Sequence, residues 1–163
     1  MSKIACFVEK YNLSDFSARA LQNFKFTAEK LGHKFDFLFR EAISEIPKFD
    51  AVFIRATTDP LYTAYVVSKT AWELGLKVVD DPESIRLCGN KIHLYALCKT
   101  YDVPHIQTIF LHKDELHHKH LLDIFHLFGK PVVVKAPYTS FSRYVEKVAC
   151  ETSFREVAKR FFR

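Results

Sequence analysis

The sequence predicts an α/β fold: a small, open, mostly parallel sheet flanked by helices, followed by a partial α+β unit. Three observations carry this. Residues 1–85 alternate strand-like and helix-like segments in the order β-α-β-β-α-β, with short connections. One of those strands, Ala51-Val52-Phe53-Ile54-Arg55, is almost wholly apolar, as a central strand covered on both faces must be. Beyond residue 85 the pattern changes to helices that lead into one hairpin, Gly129 to Lys147, whose first arm is Val132-Val133-Val134.

Taken in order, Lys3 to Glu9 is the first strand. Tyr11 to Asp15 form a turn in which Ser14 or Asp15 caps a helix running to about Leu31. Phe16, Ala20, Leu21, Phe24, Ala28 and Leu31 fall at helical spacing along it, and Gly32 is a C-cap residue. Phe35 to Phe39 alternates as a second strand. Ala42 to Ile46 reads as a short helical turn closed by Pro47. Ala51 to Arg55 is the third strand and ends in the polar loop Arg55 to Pro60. Leu61 to Leu74 places Ala64, Val67, Ala71 and Leu74 on one helical face, and Gly75 ends it. Leu76 to Asp80 is the fourth strand.

Asp81-Pro82 is a helix start, with Asp as the cap and Pro at the first position. The domain boundary is expected here, giving a small α/β domain over 1–85 and a second, partial unit over 86–163. Gly89 breaks the chain and Asn90 caps a helix from Lys91 to about Tyr101, stopped at Val103-Pro104. Ile106 to Leu111 is expected to be a strand and Asp114 to Phe128 a helix. After the hairpin, Thr152 or Ser153 caps an amphipathic helix from Phe154 to Phe162. Its Phe154, Val157, Phe161 and Phe162 are expected to be exposed or to contact another copy.

Composition narrows the function classes. Among 163 residues, 48% are hydrophobic, 26% are charged and only four are Gly, which supports a packed core and excludes a disordered or fibrous chain. The four cysteines form no CxxC pair and no zinc spacing, so reduced thiols in a cytoplasmic protein are expected. No apolar stretch approaches the roughly 20 residues that span a bilayer, and the N-terminus lacks a secretory signal pattern. The net charge of +5 suits an anionic ligand or a nucleic acid. The basic residues are scattered rather than striped, which disfavours the nucleic acid.

The hairpin carries the chemistry. Its first strand delivers Lys135 to the root of a loop holding Thr139, Ser140 and Ser142. Hydroxyls and backbone N–H groups donate to a phosphate and the lysine supplies the counter-charge. The plainer reading is an ordinary hairpin with a solvated lysine. Arg55, Thr57 and Thr58 lie at the C-terminal end of the central strand, where open α/β sheets place ligands. Arg55 there holds a substrate carboxylate, or pairs with Asp59 or Asp80. His112, His117, His118 and His120 read as a solvated helix face, since no acid or thiol spacing completes a metal site.

Two blocks, Val132-Val133-Val134-Lys135 with Ser140-Phe141-Ser142-Arg143, and Val79 to Ile85 followed by Cys88-Gly89-Asn90-Lys91, resemble the ATP-grasp ligases, closest to the RimK-like glutamate ligase branch. The resemblance implies a pre-ATP-grasp domain followed by the first part of the ATP-grasp core. It implies ATP and Mg²⁺ as cofactors, Lys91, Lys135, Ser140 and Ser142 at the ATP phosphates, and an acylphosphate route joining a carboxylate to an amine such as an amino acid. The family's loop glycines are replaced here by Thr139, Ser142 and Tyr144. The family's Mg²⁺ ligands lie beyond Arg163, so the 163-residue chain is expected to be the N-terminal portion of a ligase, or a truncated relative, without turnover of its own. A non-catalytic binding or scaffolding module of the same fold and a basic nucleic-acid-binding domain stand as alternatives, and a homo-oligomer is compatible with all three.

Overall fold

The computed structural model describes residues 1–10, 14–139 and 143–162, apart from the side chains of Asp15 and Phe16. The chain forms two compact units, Met1–Gly89 and Asn90–Arg163.

In the first unit the elements are β1 (Lys3–Phe7), α1 (Asp15–Lys30), β2 (Lys34–Leu38), a 3₁₀ segment (Arg40–Lys48), β3 (Ala51–Ile54), α2 (Thr63–Glu73), β4 (Lys77–Val79) and α3 (Pro82–Cys88). The strands form one sheet in the order β2-β1-β3-β4, and each neighbouring pair is parallel. Register follows from the period of two along a strand. Ala5 and Phe7 share a core with Leu38, Ile46, Val52, Ile54, Ala64, Val67 and Ala71. Cys6 and Val8, pointing the other way, pack with Leu21 and Phe35. Both faces of β1 are therefore covered, and burial pushes the Cys6 thiol up to about 12, against a smaller opposing pull from the Arg55 charge.

Local signals set the helix ends. Ser14 Oγ accepts the Ser17 N–H at 3.2 Å, so Ser14 is the cap of α1. Gly32 and Gly75 follow α1 and α2 at φ +82° and +73°, a backbone region that admits glycine without strain. Three expectations shift. The turn after β2 is a longer 3₁₀ segment with Pro47 inside it. Proline's φ already suits such a turn, so its cost is limited to the missing N–H. Phe24 is 50% exposed, its ring leaning on Phe53 with centroids 5.5 Å apart. Leu31 lies just past the end of α1 and is largely exposed.

The second unit comprises α4 (Lys91–Thr100), a 3₁₀ turn (Lys113–Glu115), α5 (His118–Phe128), β5 (Val132–Lys135), β6 (Val145–Val148) and α6 (Glu151–Phe161). β5 and β6 pair antiparallel, with Val132 opposite Val148 and Lys135 opposite Val145. One face of the hairpin, through Val132, Val134 and Val148, packs on Leu121, Ile124, Phe125, Phe154 and Val157.

This corrects the expectation for α6: Phe154 and Val157 are 3% and 4% exposed, covered by α5 and the hairpin, and only Phe162 of the four is classed as exposed. Ile106 to Leu111 is not a strand. β5 and β6 form a two-stranded sheet, so its β-branched residues find no ladder to join, and Ile106 is 82% exposed. The helix expected from Asp114 is split, because the His117 ring nitrogen accepts the His120 N–H at 3.2 Å and caps α5 afresh. α6 starts at Glu151 with Cys150 as its cap, and Ser153 occupies the third helical position rather than the cap. Among the described residues, no helix is long and apolar enough to cross a membrane.

Candidate functional site

Residues of the second unit bring Lys91 to the hairpin loop. Asn90 Oδ1 accepts the N–H groups of Ile92 (2.8 Å) and His93 (3.4 Å), which fixes the first turn of α4 and the start point of Lys91. The Lys91 N–H then donates to the Pro137 carbonyl at 3.1 Å, so the helix start is tied to the segment leaving β5. The Lys91 ammonium reaches the same segment. It lies 3.5 Å from the Pro137 carbonyl and 3.4 Å from Thr139 Oγ1, and it also donates to the Thr139 carbonyl. Thr139 Oγ1 in turn donates to the Ala136 carbonyl at 3.1 Å. The Ala136 N–H continues the hairpin ladder to the Tyr144 carbonyl at 3.0 Å.

Lys135 ends β5 on the face of the hairpin opposite the core and is exposed. Burial holds the Lys91 ammonium below the usual lysine range, and the positive charge of Lys135 adds to the effect. Among the described residues neither lysine pairs with an acid. Two uncompensated cations whose charges are felt mutually, beside a hydroxyl, favour an anion with several oxygen acceptors.

The loop backbone departs from what such a cradle usually needs. Tyr144 sits at φ +52°, a left-handed conformation in which glycine is free of strain and tyrosine is not. Its ring packs edge-on against Phe161 with centroids 5.2 Å apart, and this contact helps hold the position. Ser140 and Ser142, expected as loop donors, lie outside the described residues.

In the first unit, Arg55 follows β3, is exposed, and donates its N–H to the Phe7 carbonyl at 2.8 Å. It makes no ion pair with Asp59 or Asp80. Asp59 instead accepts the Leu61 N–H at 2.8 Å. Thr57 is half-buried in the same loop. Among the described residues no group of His, Cys, Asp or Glu is arranged to hold a metal ion. His118 contacts Glu151, whose carboxyl is held below the usual range chiefly by its hydrogen bond from Arg155.

Sequence reasoning did not find the tie between Lys91 and residues 137–139, because a contact across that much chain leaves no local signature. It also left without comment Glu9, a charged residue two positions past the end of β1 that is 6% exposed.

No family model matches the sequence, and no curated relative matches it either. Solved structures do match. A RimK-domain ATP-grasp protein from Sphaerobacter thermophilus is 17% identical with a TM-score of 0.65, covering 98% of this chain and 60% of its own. The D-alanine–D-alanine ligase from Coxiella burnetii is 13% identical with a TM-score of 0.74, covering 99% and 60%. The Bacillus anthracis D-alanine–D-alanine ligase complexed with ATP is 16% identical with a TM-score of 0.66, covering 98% and 52%. The fold is thus that found in ATP-grasp proteins, and the chain spans between about half and 60% of the length of these structures.

Proposed function

We propose that this chain is the first nucleotide-binding portion of an ATP-dependent carboxylate–amine ligase, with Lys91 and Lys135 at the ATP phosphates. The single observation that carries the reading is the Lys91–Lys135–Thr139 cluster, read on a fold shared with ATP-grasp proteins. In such chemistry ATP activates the carboxylate by phosphorylation, and an amine displaces the phosphate. The part assigned to this chain is narrower. Lys135 neutralises phosphate charge from the exposed face of the hairpin. The Lys91 ammonium exchanges its loop carbonyl partners for phosphate oxygens, whose negative charge offsets the burial, and secondarily the Lys135 charge, that hold its pKa down. The described residues do not offer a carboxylate cluster that fits Mg²⁺.

The test is calorimetric titration of the chain with ATP. Lys91→Ala and Lys135→Ala are each expected to weaken binding roughly tenfold to a hundredfold, the worth of a hydrogen bond to a charged group. Circular dichroism checks that the fold persists. Equal ATP affinity in both variants would remove the lysines from the site. The pH dependence has a definite sign: a phosphate raises the Lys91 pKa, so binding takes up protons and affinity falls as pH rises through the free Lys91 value. Titrations in buffers of different ionisation enthalpy measure that uptake. Tyr144 in left-handed backbone favours the second reading, a binding module without turnover. Saturable ATP binding without phosphate release from ATP and amino acids, in a version extended to the full length of the matched ligases, would establish it.

A further inference from the structure

Tyr144 directly precedes β6 and holds a left-handed backbone at φ +52°. A residue with a Cβ persists there only when its surroundings over-determine the position. Two contacts do so. The Tyr144 ring packs on the Phe161 ring with an interplanar angle of 75°. The Tyr144 carbonyl accepts the Ala136 N–H at 3.0 Å, one rung beyond the Lys135–Val145 pair. A two-stranded hairpin has little of its own to stop that end from fraying. Phe161 supplies the hold. It ends α6 and lies against the core that buries Phe154 and Val157 of the same helix.

Ala136 is the residue through which both lysines are placed. Lys135 precedes it in the chain. The Ala136 carbonyl accepts Thr139 Oγ1 at 3.1 Å. Pro137 and Thr139, which follow, are the residues that hold Lys91: the Pro137 carbonyl takes its backbone N–H at 3.1 Å, and its ammonium lies 3.4 Å from Thr139 Oγ1. A continuous route therefore runs from α6 through the two rings and the Tyr144 carbonyl to Ala136. From there it divides, to Lys135 on one side and to Thr139 and Lys91 on the other. We propose that Tyr144 and Phe161 are positioning residues, a ring clamp that closes the last rung of the hairpin and fixes the spacing of Lys91 and Lys135. The clamp serves the phosphate site proposed above, and its role in binding rests on that reading. A side-chain contact, rather than backbone freedom, then sets the donors before the anion arrives, which lowers the ordering cost of binding.

The experiment compares the whole chain with Tyr144→Ala, Phe161→Leu, the two combined, and Tyr144→Phe, which keeps the ring. Hydrogen exchange at the Ala136 amide and NMR titration of the Lys91 side chain are read without ligand, and ATP is then titrated. Tyr144→Ala and Phe161→Leu are each expected to speed Ala136 exchange roughly fivefold or more. Each should also move the Lys91 titration up towards the ordinary lysine range, because a loosened segment re-exposes the ammonium and parts it from Lys135. ATP binding should weaken roughly fivefold to tenfold in each. The pH at which affinity falls should move up with the Lys91 titration, a shift that lost packing alone does not produce. The double variant should match the weaker-binding single, since the two rings make one contact. Tyr144→Phe should restore every readout. If circular dichroism shows that Phe161→Leu does not fold, Tyr144→Ala, on the exposed side of the contact, decides. The proposal is overturned if Tyr144→Ala leaves Ala136 exchange and the Lys91 titration at the parent's values. It is overturned equally if Tyr144→Phe behaves as Tyr144→Ala does, or if Tyr144→Ala binds ATP as the parent does while the lysine variants bind it more weakly. Unchanged ATP affinity in Lys91→Ala and Lys135→Ala would instead sink the phosphate reading, and the ligand-free measurements would still judge the clamp.

Discussion

Ala5, Cys6, Phe7 and Val8 are each at most 2% exposed, two on each side of the first unit's sheet, whereas along Val132–Lys135 half-buried and exposed residues alternate. The first sheet is sandwiched and the second is a hairpin with one covered face. The same contrast runs through the backbone. In the first unit the positive-φ positions among the described residues are Gly32 and Gly75, but in the second they include Asp102 and Tyr144. α4 has no fully buried residue and is held instead by the Asn90 cap and the Lys91 contacts with the loop. Where local preference and long-range packing agree, the unit is a stable platform. Where they disagree, the chain retains strain and open polar contacts, and that is where the lysine cluster sits.

The largest effect that tests this contrast is in the core. Phe7→Ala is expected to cost about 3–5 kcal/mol and to unfold the first unit, while Leu121→Ala costs about 2–5 kcal/mol in the second. Urea unfolding followed by hydrogen exchange resolves the two. Amides of β1 should exchange more slowly than those of β5, and the reverse order would break the comparison.

A smaller effect concerns the agreement of local signals. Asp81 Oδ1 accepts the N–H groups of Glu83 and Ser84, both at 3.0 Å, and Oδ2 accepts the Ser84 hydroxyl at 2.5 Å. Asp81→Ala should cost about 0.5–2 kcal/mol in thermal or urea unfolding. The Ser84 hydroxyl above all, then the backbone N–H groups, hold the Asp81 carboxyl below its ordinary value. Its contribution is therefore complete above the unfolded value of about 3.9 and is lost as pH falls through the lower folded value. Parent and variant should differ near neutrality and converge in strong acid; a constant difference would assign the cost to something other than the charged cap.

The smallest effect is expected at Tyr144. Tyr144→Gly relieves about 1–2 kcal/mol of left-handed strain and forfeits the Phe161 ring contact, worth about 0.5–1.5 kcal/mol. The net change in urea unfolding should lie within about 1 kcal/mol of zero. A loss well beyond that would mean the ring is an anchor of the hairpin rather than compensation for its backbone.

Residues on single elements were legible before any fold was known. The alternation of Ala5 and Phe7 against Cys6 and Val8, the Asp81-Pro82 start of α3 and the Asn90 cap of α4 each depend on side chains within a few residues of one another. The sequence therefore determined the element types in the first unit, most helix ends and the position of Lys135 at the root of a loop. Tertiary structure alone decided the strand order β2-β1-β3-β4, the burial of Phe154 and Val157 and the absence of a strand at Ile106 to Leu111. It also brought Lys91 to Thr139. Strand pairing, burial and charge proximity are sums over partners far apart in the chain, so identical local patterns end in different places according to which surfaces find a cover.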